Sequence, residues 1–174
     1  ETSAYGLCRP PGHHAARDVY GGFCYFNNAA VVAQHVVDTT GGRVCVLDVD
    51  YHHGNGTQQI FYDRADVQFV SLHGDPDWEY PYFLGGRDER GDGAGLGFNH
   101  NHPLPKGADT AQFLRELDAA CAEIAIFQPE YLLVSLGVDT FEGDPIGGLA
   151  VAAEGYPRIG ARLAQLGLPT VFIM

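Results

Sequence analysis

The feature that most constrains the fold is a near-continuous apolar run, "RVCVLDV", at positions 43–49. Apolar runs without alternating polar residues are typical of strands that are covered on both faces, as in a parallel sheet. Three more segments have this character, at 67–73, 130–138 and 169–174. Segments with helical spacing of apolar residues alternate with them, at 27–39, 56–62, 108–127 and 152–167. This alternation predicts an α/β fold, in which helices flank a parallel sheet on both faces.

Polar residues follow three of the predicted strands, in the segments 48–52, 71–75 and 137–144. The carboxyl ends of parallel strands meet at one edge of the sheet, and ligands bind just outside that edge. We therefore expect the active site in the loops at these strand ends. The segment 74–102, rich in glycine and aromatic residues, is predicted to be a long loop.

The length of 174 residues fits a single domain, residues 1–174, without an internal repeat or boundary. The first residues contain no clear element and the last ones follow an apolar run directly, so we expect a domain that is incomplete at both ends. No apolar run is long enough to span a membrane, and this stretch contains no leader-like segment. The four cysteines form no C-x-x-C pair, which indicates free thiols in a reducing, cytoplasmic setting.

The formal net charge of −12 limits the partners of this chain. Binding to nucleic acid phosphates needs a basic face, so a nucleic acid partner is not expected. A negative field concentrates cations near the surface, which favours a small cationic substrate. The alternative is that the acidity only confers solubility.

Three residues at the predicted edge form a candidate metal site. Asp50 and His52 are two positions apart in the stretch "LDVDYHHGNG", so both side chains can reach one point. Asp139 follows the third strand at the same edge. One histidine and two carboxylates suit zinc with an open position for water or substrate. The alternative is that Asp50 caps a helix and His52 is an ordinary loop histidine.

A second pair of adjacent histidines, His13 and His14, stands in "RPPGHHA". Adjacent histidines are awkward as joint metal ligands but suit acid–base chemistry beside a metal site. Each then needs a partner on its other ring nitrogen to set its tautomer, and Asp48 is available for this. Two loop histidines without a role are the alternative.

Five motifs together resemble the histone deacetylase superfamily of zinc amidohydrolases, and within it bacterial acetylpolyamine amidohydrolases and histone deacetylase-like amidohydrolases. They occur in the expected order from residue 7 to residue 174: "RPPGHHA", "GGFCYFNNAA", "LDVDYHHGNGTQ", "VSLHGDP" and "SLGVDTFEGDPIGG". The resemblance implies the arginase-like α/β fold of this superfamily. It also implies a hydrolase that removes acetyl groups from linear amides and releases acetate.

Roles for individual residues follow from the resemblance. It implies that Asp50, His52 and Asp139 bind zinc, with ferrous iron as an alternative. His14 corresponds to the general base and acid, and His13 to its electrostatic neighbour. Asp48 matches the aspartate that bonds His13, and Asn55 takes the place of the partner of His14.

The resemblance also implies a substrate channel and potassium sites. Phe23 and Tyr80 match the aromatic channel walls, and Gly22 matches a carbonyl that contacts the substrate. The alternative for Phe23 is ordinary core packing, and the same alternative holds for Tyr80, which lies in a variable loop. One potassium site corresponds to Asp48, Asp50, His52, Ser71 and Leu72. A second, made of backbone carbonyls, corresponds to Phe61, Arg64, Val67 and Phe98.

Acetylated polyamines, or similar small acetylated amines, are the expected substrates, and protein acetyl-lysine is the alternative. Ile146 is a caution, because a polyamine-selective relative has glutamate there. The family's Gly-Gly-Tyr turn, whose tyrosine donates to the substrate carbonyl, does not occur in these 174 residues, so a non-catalytic binding module is a further alternative. Arginase-type manganese sites need more carboxylates than these loops supply. Self-association into a homo-oligomer is also expected.

Overall fold

The computed structural model describes residues 3–174, so the first two residues of the expected domain lie outside the described part. Six parallel strands form one sheet in the order β1-β6-β5-β2-β3-β4. The strands are β1 (Ser3–Gly6), β2 (Val44–Asp48), β3 (Val67–Gly74), β4 (Asn99–Leu104), β5 (Tyr131–Ser135) and β6 (Thr170–Ile173). The helices are α1 (Asn28–Thr40), α2 (Asn55–Phe61), α3 (Thr110–Phe127) and α4 (Gly155–Ala164), with a 3-10 turn at Gly93–Gly95.

Apolar side chains of the central strands cover both faces of the sheet. On one face Leu47 and Leu72 pack with residues of α3 and α4, including Leu117. On the other face Val46 and Phe69 pack with residues of α1 and α2. The expected parallel sheet flanked by helices is therefore confirmed.

The register brings three strand ends together at the sheet's carboxyl edge. Asp48, at the end of β2, is aligned with Ser71 of β3 and with Ser135 of β5. The loops that follow these strands consequently leave the sheet side by side. This alignment positions the candidate site.

Local signals fix the helices that support this edge. Asn27 caps α1, since its side chain accepts a hydrogen bond from the Ala30 N–H at 2.9 Å. Gly41, with φ of 69°, ends the same helix in the left-handed conformation. Asp109 and Gln112 form a reciprocal capping box at the start of α3.

The segment 74–102 was expected to be a single loop, and this expectation is wrong. It includes the 3-10 turn, and its last residues begin β4, which pairs with β3. The sequence of β4, "NHNHPL", contains hardly any apolar residues, yet four of its six residues are buried polar ones. Hydrophobic pattern cannot find a strand of this kind. The short strand β1 was also missed, because its residues are mostly exposed.

Across residues 3–174, no helix combines the length and the hydrophobicity that a membrane crossing requires.

Candidate metal and catalytic site

Asp50, His52 and Asp139 lie together at the carboxyl edge of the sheet. Each offers one ligand atom, and these atoms lie within 4.8 Å of one another. The Nδ1 atom of His52 is 2.9 Å from Oδ2 of Asp139 and 3.3 Å from Oδ1 of Asp50. No second group of this kind occurs among residues 3–174.

Backbone groups hold the two carboxylates in place. The His52 N–H donates to Oδ1 of Asp50 at 2.8 Å, and the Tyr51 N–H donates to Oδ1 of Asp139 at 2.9 Å. Gly137 makes room for Asp50, because a Cβ at this position would lie 2.1 Å from Oδ2 of Asp50. Side chains that are positioned before a metal arrives lose little entropy on binding it.

The donor set fits a divalent metal ion such as zinc. One imidazole nitrogen and two carboxylate oxygens are ligands that zinc accepts, and three protein ligands leave a position open. Burial lowers the pKa of His52, but its contacts with Asp139 and Asp50 outweigh burial and raise it to about 10. The carboxylates therefore create a negative potential that favours a cation at this point.

His13 is held by a buried carboxylate. Its Nδ1 is 2.9 Å from Oδ2 of Asp48, which is fully buried at the end of β2. Burial lowers the pKa of His13, but the charges of Asp48 and Asp50 outweigh burial and raise it to about 9. These charges favour the protonated form of the ring, and its Nε2 lies 3.8 Å from Oδ1 of Asp50.

His14 is held by a neutral amide. Its Nδ1 is 2.7 Å from Oδ1 of Asn55, the first residue of α2. Burial and the positive charge of His13 lower the pKa of His14 to about 3, against the weaker effect of the Asn55 hydrogen bond. Since an amide oxygen only accepts, Nδ1 carries the hydrogen and Nε2 has a free lone pair. The two rings lie 4.0 Å apart between centroids, and the pKa values of the two histidines are shifted in opposite directions.

A cavity of about 500 Å³ opens above these groups. The ring of Tyr80 stands edge-on to that of His14, with 4.9 Å between centroids. Phe23 is 84% exposed, so its packing in a core is excluded and it forms an outer wall. The cavity is lined by Pro11, His13, His14, Gly22, Phe23, Asp50, His52, Glu79, Tyr80, Asp139 and Ile146.

The residues expected to bind potassium fall into two separate groups. Asp48, Ser71 and Leu72 lie on the paired ends of β2 and β3, next to Asp50 and His52. The second group lies near the last residue of α2 and the first residue of β3. It consists of Phe61, Arg64, Val67 and Phe98. The Phe61 carbonyl accepts from the Arg64 N–H at 3.1 Å, and the Phe98 carbonyl accepts from the Phe69 N–H at 2.9 Å.

Two residues beside the site were missed in the sequence. Tyr51 is fully buried between the metal-ligand candidates Asp50 and His52, and its hydroxyl donates to Oε2 of Glu79 at 2.7 Å. Glu79 lies in the segment expected to be a featureless loop. A signal was available for Tyr51, since a large aromatic between two candidate ligands must pack on one side of the strand end. No pattern in the sequence marks Glu79.

Comparisons with known proteins are consistent with this geometry. Residues 1–174 match the family described as "Histone deacetylase domain". The chain belongs to this family, whose members share the arginase-like deacetylase fold.

Two relatives from Pseudomonas aeruginosa are named acetylpolyamine amidohydrolase 2 and acetylpolyamine amidohydrolase 1, and the chain is 56% and 57% identical to them over 172 residues. A crystal structure of acetylpolyamine aminohydrolase from Burkholderia pseudomallei superimposes with a TM-score of 0.97 at 50% identity. Each comparison covers 99% of this chain and 50% of the relative. The chain therefore spans about half the length of the relatives it matches.

Proposed function

We propose that this chain carries the metal and acid–base part of an amidohydrolase that removes acetyl groups from acetylated polyamines or similar small amines. One observation carries the proposal: two differently partnered histidines, His13 and His14, face the same cavity as the three-ligand group. Amide hydrolysis needs such a set, since water must be activated and the leaving amine must be protonated.

In this proposal Asp50, His52 and Asp139 hold zinc, or alternatively ferrous iron. Zinc, when bound, supplies a Lewis acid that polarises the amide carbonyl and makes water more acidic. Potassium at the two groups described above remains part of the proposal. Its expected role is structural, because it would hold backbone carbonyls beside the ligand loop.

His14 acts as the general base. Its Nδ1–H is committed to Asn55, so Nε2 accepts the proton of the attacking water. The low pKa of His14 keeps the ring neutral, so the lone pair of Nε2 is free, although the same shift lowers the basicity of the ring. His14, protonated once it has taken the proton of the water, then acts as the general acid that delivers a proton to the leaving amine. His13, bonded to Asp48, is its electrostatic neighbour and stabilises negative charge that develops on the substrate.

The names of the relatives from Pseudomonas aeruginosa and Burkholderia pseudomallei support an acetylpolyamine as substrate. The net charge of −12 supports a cationic substrate independently. Protein acetyl-lysine remains the alternative, favoured by the description of the family. A cytoplasmic location and self-association stay predictions from the sequence.

The test is an assay of the full-length gene product on N-acetylputrescine, N-acetylspermidine and an acetyl-lysine peptide, with acetate release as the readout. We expect the acetylpolyamines to have the higher kcat/KM. Asp139→Ala should abolish both turnover and stoichiometric metal, because about one third of the protein ligands is lost. Asp63→Ala, which removes an exposed carboxylate, is the control. A variant at Asp139 that retains one chelator-resistant metal ion per chain contradicts the ligand assignment.

A further inference from the structure

We infer that Glu79 forms the anionic subsite that binds the free ammonium group of the substrate, an inference that rests on the proposed function. Glu79 lines the same cavity as His14, Tyr80 and the metal-ligand candidates. It is partly buried, and its carboxylate is held in place from two sides. A preorganised carboxylate beside an aromatic wall is suited to bind an alkylammonium group.

Two hydrogen bonds fix the carboxylate of Glu79. Oε2 accepts from the Tyr51 hydroxyl at 2.7 Å, and Oε1 accepts from the Tyr80 N–H at 2.9 Å. The Tyr51 hydroxyl is the donor of the first bond, because a carboxylate oxygen only accepts. An ionised carboxylate accepts about four hydrogen bonds, so each oxygen has a lone pair left for the substrate.

The charge of Glu79 has no counterion within the described residues. None of the ion pairs among residues 3–174 involves it, and no lysine or arginine lines the cavity. Asp50 and Asp139, the other carboxylates of the cavity, belong to the metal-ligand set. Their charge is balanced by the divalent ion that they are proposed to hold, whereas the charge of Glu79 is left for the substrate.

This subsite distinguishes substrate classes. An acetylated polyamine carries an ammonium group a few methylenes from its amide, whereas an acetyl-lysine side chain ends in the peptide backbone, which carries no charge. Glu79 therefore favours the first class. Glu79 is expected to affect the binding of the substrate. Its contacts with Tyr51 and Tyr80 hold it at the cavity.

The test is Glu79→Gln in the full-length gene product, assayed on N-acetylputrescine and on N-pentylacetamide, a neutral substrate of the same shape. Glutamine keeps the size of the side chain. Its Oε1 can accept from the Tyr80 N–H while its Nε2 donates to the Tyr51 hydroxyl oxygen, so the variant removes the charge and reverses the direction of one hydrogen bond. We expect kcat/KM for N-acetylputrescine to fall by on the order of tenfold, mainly through a higher KM, as for loss of one charged hydrogen bond. The value for N-pentylacetamide should change by less than about twofold.

Glu142→Gln is the matched control, since it makes the same change in net charge at an exposed residue outside the cavity. It should leave both substrates unaffected. Equal losses on the charged and the neutral substrate would show that Glu79 only positions Tyr51 and Tyr80, and would overturn the inference. Unchanged kinetics on both would overturn it as well. A wild-type protein that hydrolyses neither substrate would instead refute the proposed function.

Discussion

The two histidines of the site have the same side chain, but their pKa values are shifted in opposite directions. The charges of Asp48 and Asp50 raise the pKa of His13 against burial, whereas burial and the charge of His13 lower that of His14 against the weaker effect of the Asn55 hydrogen bond. A carboxylate beside one ring and a neutral amide beside the other thus contribute to different protonation behaviour in adjacent residues.

Gly22 leaves the space that the ring of His14 occupies. A Cβ on Gly22 would lie 2.0 Å from Cδ2 of His14, and the residue has φ of 54°. Gly22→Ala should therefore push the ring away from its place and lower kcat of the full-length gene product by on the order of 100-fold, the usual effect of about 1 Å of misplacement. Metal content should stay at the wild-type level, as measured by elemental analysis.

Gly93→Ala is the control for backbone strain. Gly93 has φ of 52°, but nothing lies within 4 Å of the Cβ that alanine would add. This variant should lose about 1 kcal/mol of stability and keep its kcat, because a left-handed alanine is strained wherever it stands. Equal losses of kcat in the two variants would mean that strain, and not contact with His14, explains the effect.

Residue spacing predicted which side chains could meet, and their neighbours decide what they do. Asp50 and His52 alternate along an extended segment, so their convergence could be predicted without a structure. The position of Glu79 at the site could not be predicted in this way. Glu79 lies in a loop, and no periodic pattern in the sequence specifies the conformation of that loop. The roles of His13 and His14 depend on buried charges around them. The distances to these charges are set by the fold and cannot be obtained from the sequence.

At the scale of elements, strand β4 shows where hydrophobic pattern fails. Its buried residues Asn99, His100, Asn101 and His102 are polar, so no apolar alternation marks the strand. The other central strands are continuous apolar runs and were predicted to within a few residues. Buried polar side chains usually have hydrogen-bond partners, and those of β4 lie far away in the sequence. The amides of Asn99 and Asn101, for example, donate to Oε1 of Gln58 at 3.0 Å and 2.8 Å.

Helix α3 supplies partners for the two histidines of β4. Oε1 of Glu123 is 3.1 Å from Nδ1 of His100, and its Oε2 is 2.9 Å from Nε2 of His102. Nδ1 of His102 lies 3.0 Å from Oε2 of Glu116, which stands about two turns earlier on the same face of the helix. Glu123 therefore joins the edge strand to the helix that covers it.

Glu123→Gln should destabilise the fold. Burial raises the pKa of Glu123, but the contacts with His100 and His102 outweigh burial and lower it to about 2 from its ordinary 4.5. Because the folded pKa is depressed, the stabilisation is complete above about pH 5 and is lost as pH falls from about 4.5 towards 2. In urea unfolding of the full-length gene product, the free energy of unfolding of the variant should be lower than that of the wild type by about 1–3 kcal/mol at pH 7. The difference should be smaller at pH 3.

Asp118→Asn on the same helix is the control. Asp118 forms an exposed pair with Arg162, with 2.6 Å between Oδ1 and Nε. Exposed pairs contribute less than about 1 kcal/mol, so this variant should differ little from the wild type at any pH. A gap between Glu123→Gln and the wild type that stays constant from pH 7 to pH 3 would exclude the ionised carboxylate as the cause.

At the scale of the whole molecule, charge and site point to the same kind of ligand. The chain has a net charge of −12, and the residues that line the cavity include three carboxylates. The acidity could be recognised in the sequence, but its relation to the cavity could not, because it depends on which carboxylates the fold gathers there. Steering by the global field and binding by Glu79 are separable, since only the first acts over long distances.

Measurements at different salt concentrations distinguish steering by the global field from binding by Glu79. Raising the ionic strength from about 0.01 M to about 0.15 M shortens the Debye length from about 30 Å to about 8 Å, which removes most of the long-range field. We expect kcat/KM of the full-length gene product for N-acetylputrescine to fall several-fold over this range, while the value for neutral N-pentylacetamide stays constant. Glu79→Gln should keep the same relative dependence on salt, because it removes only one of the twelve net negative charges of these 174 residues. If the charged and neutral substrates respond equally to salt, the acidity of the chain serves solubility alone, and the field has no part in substrate capture.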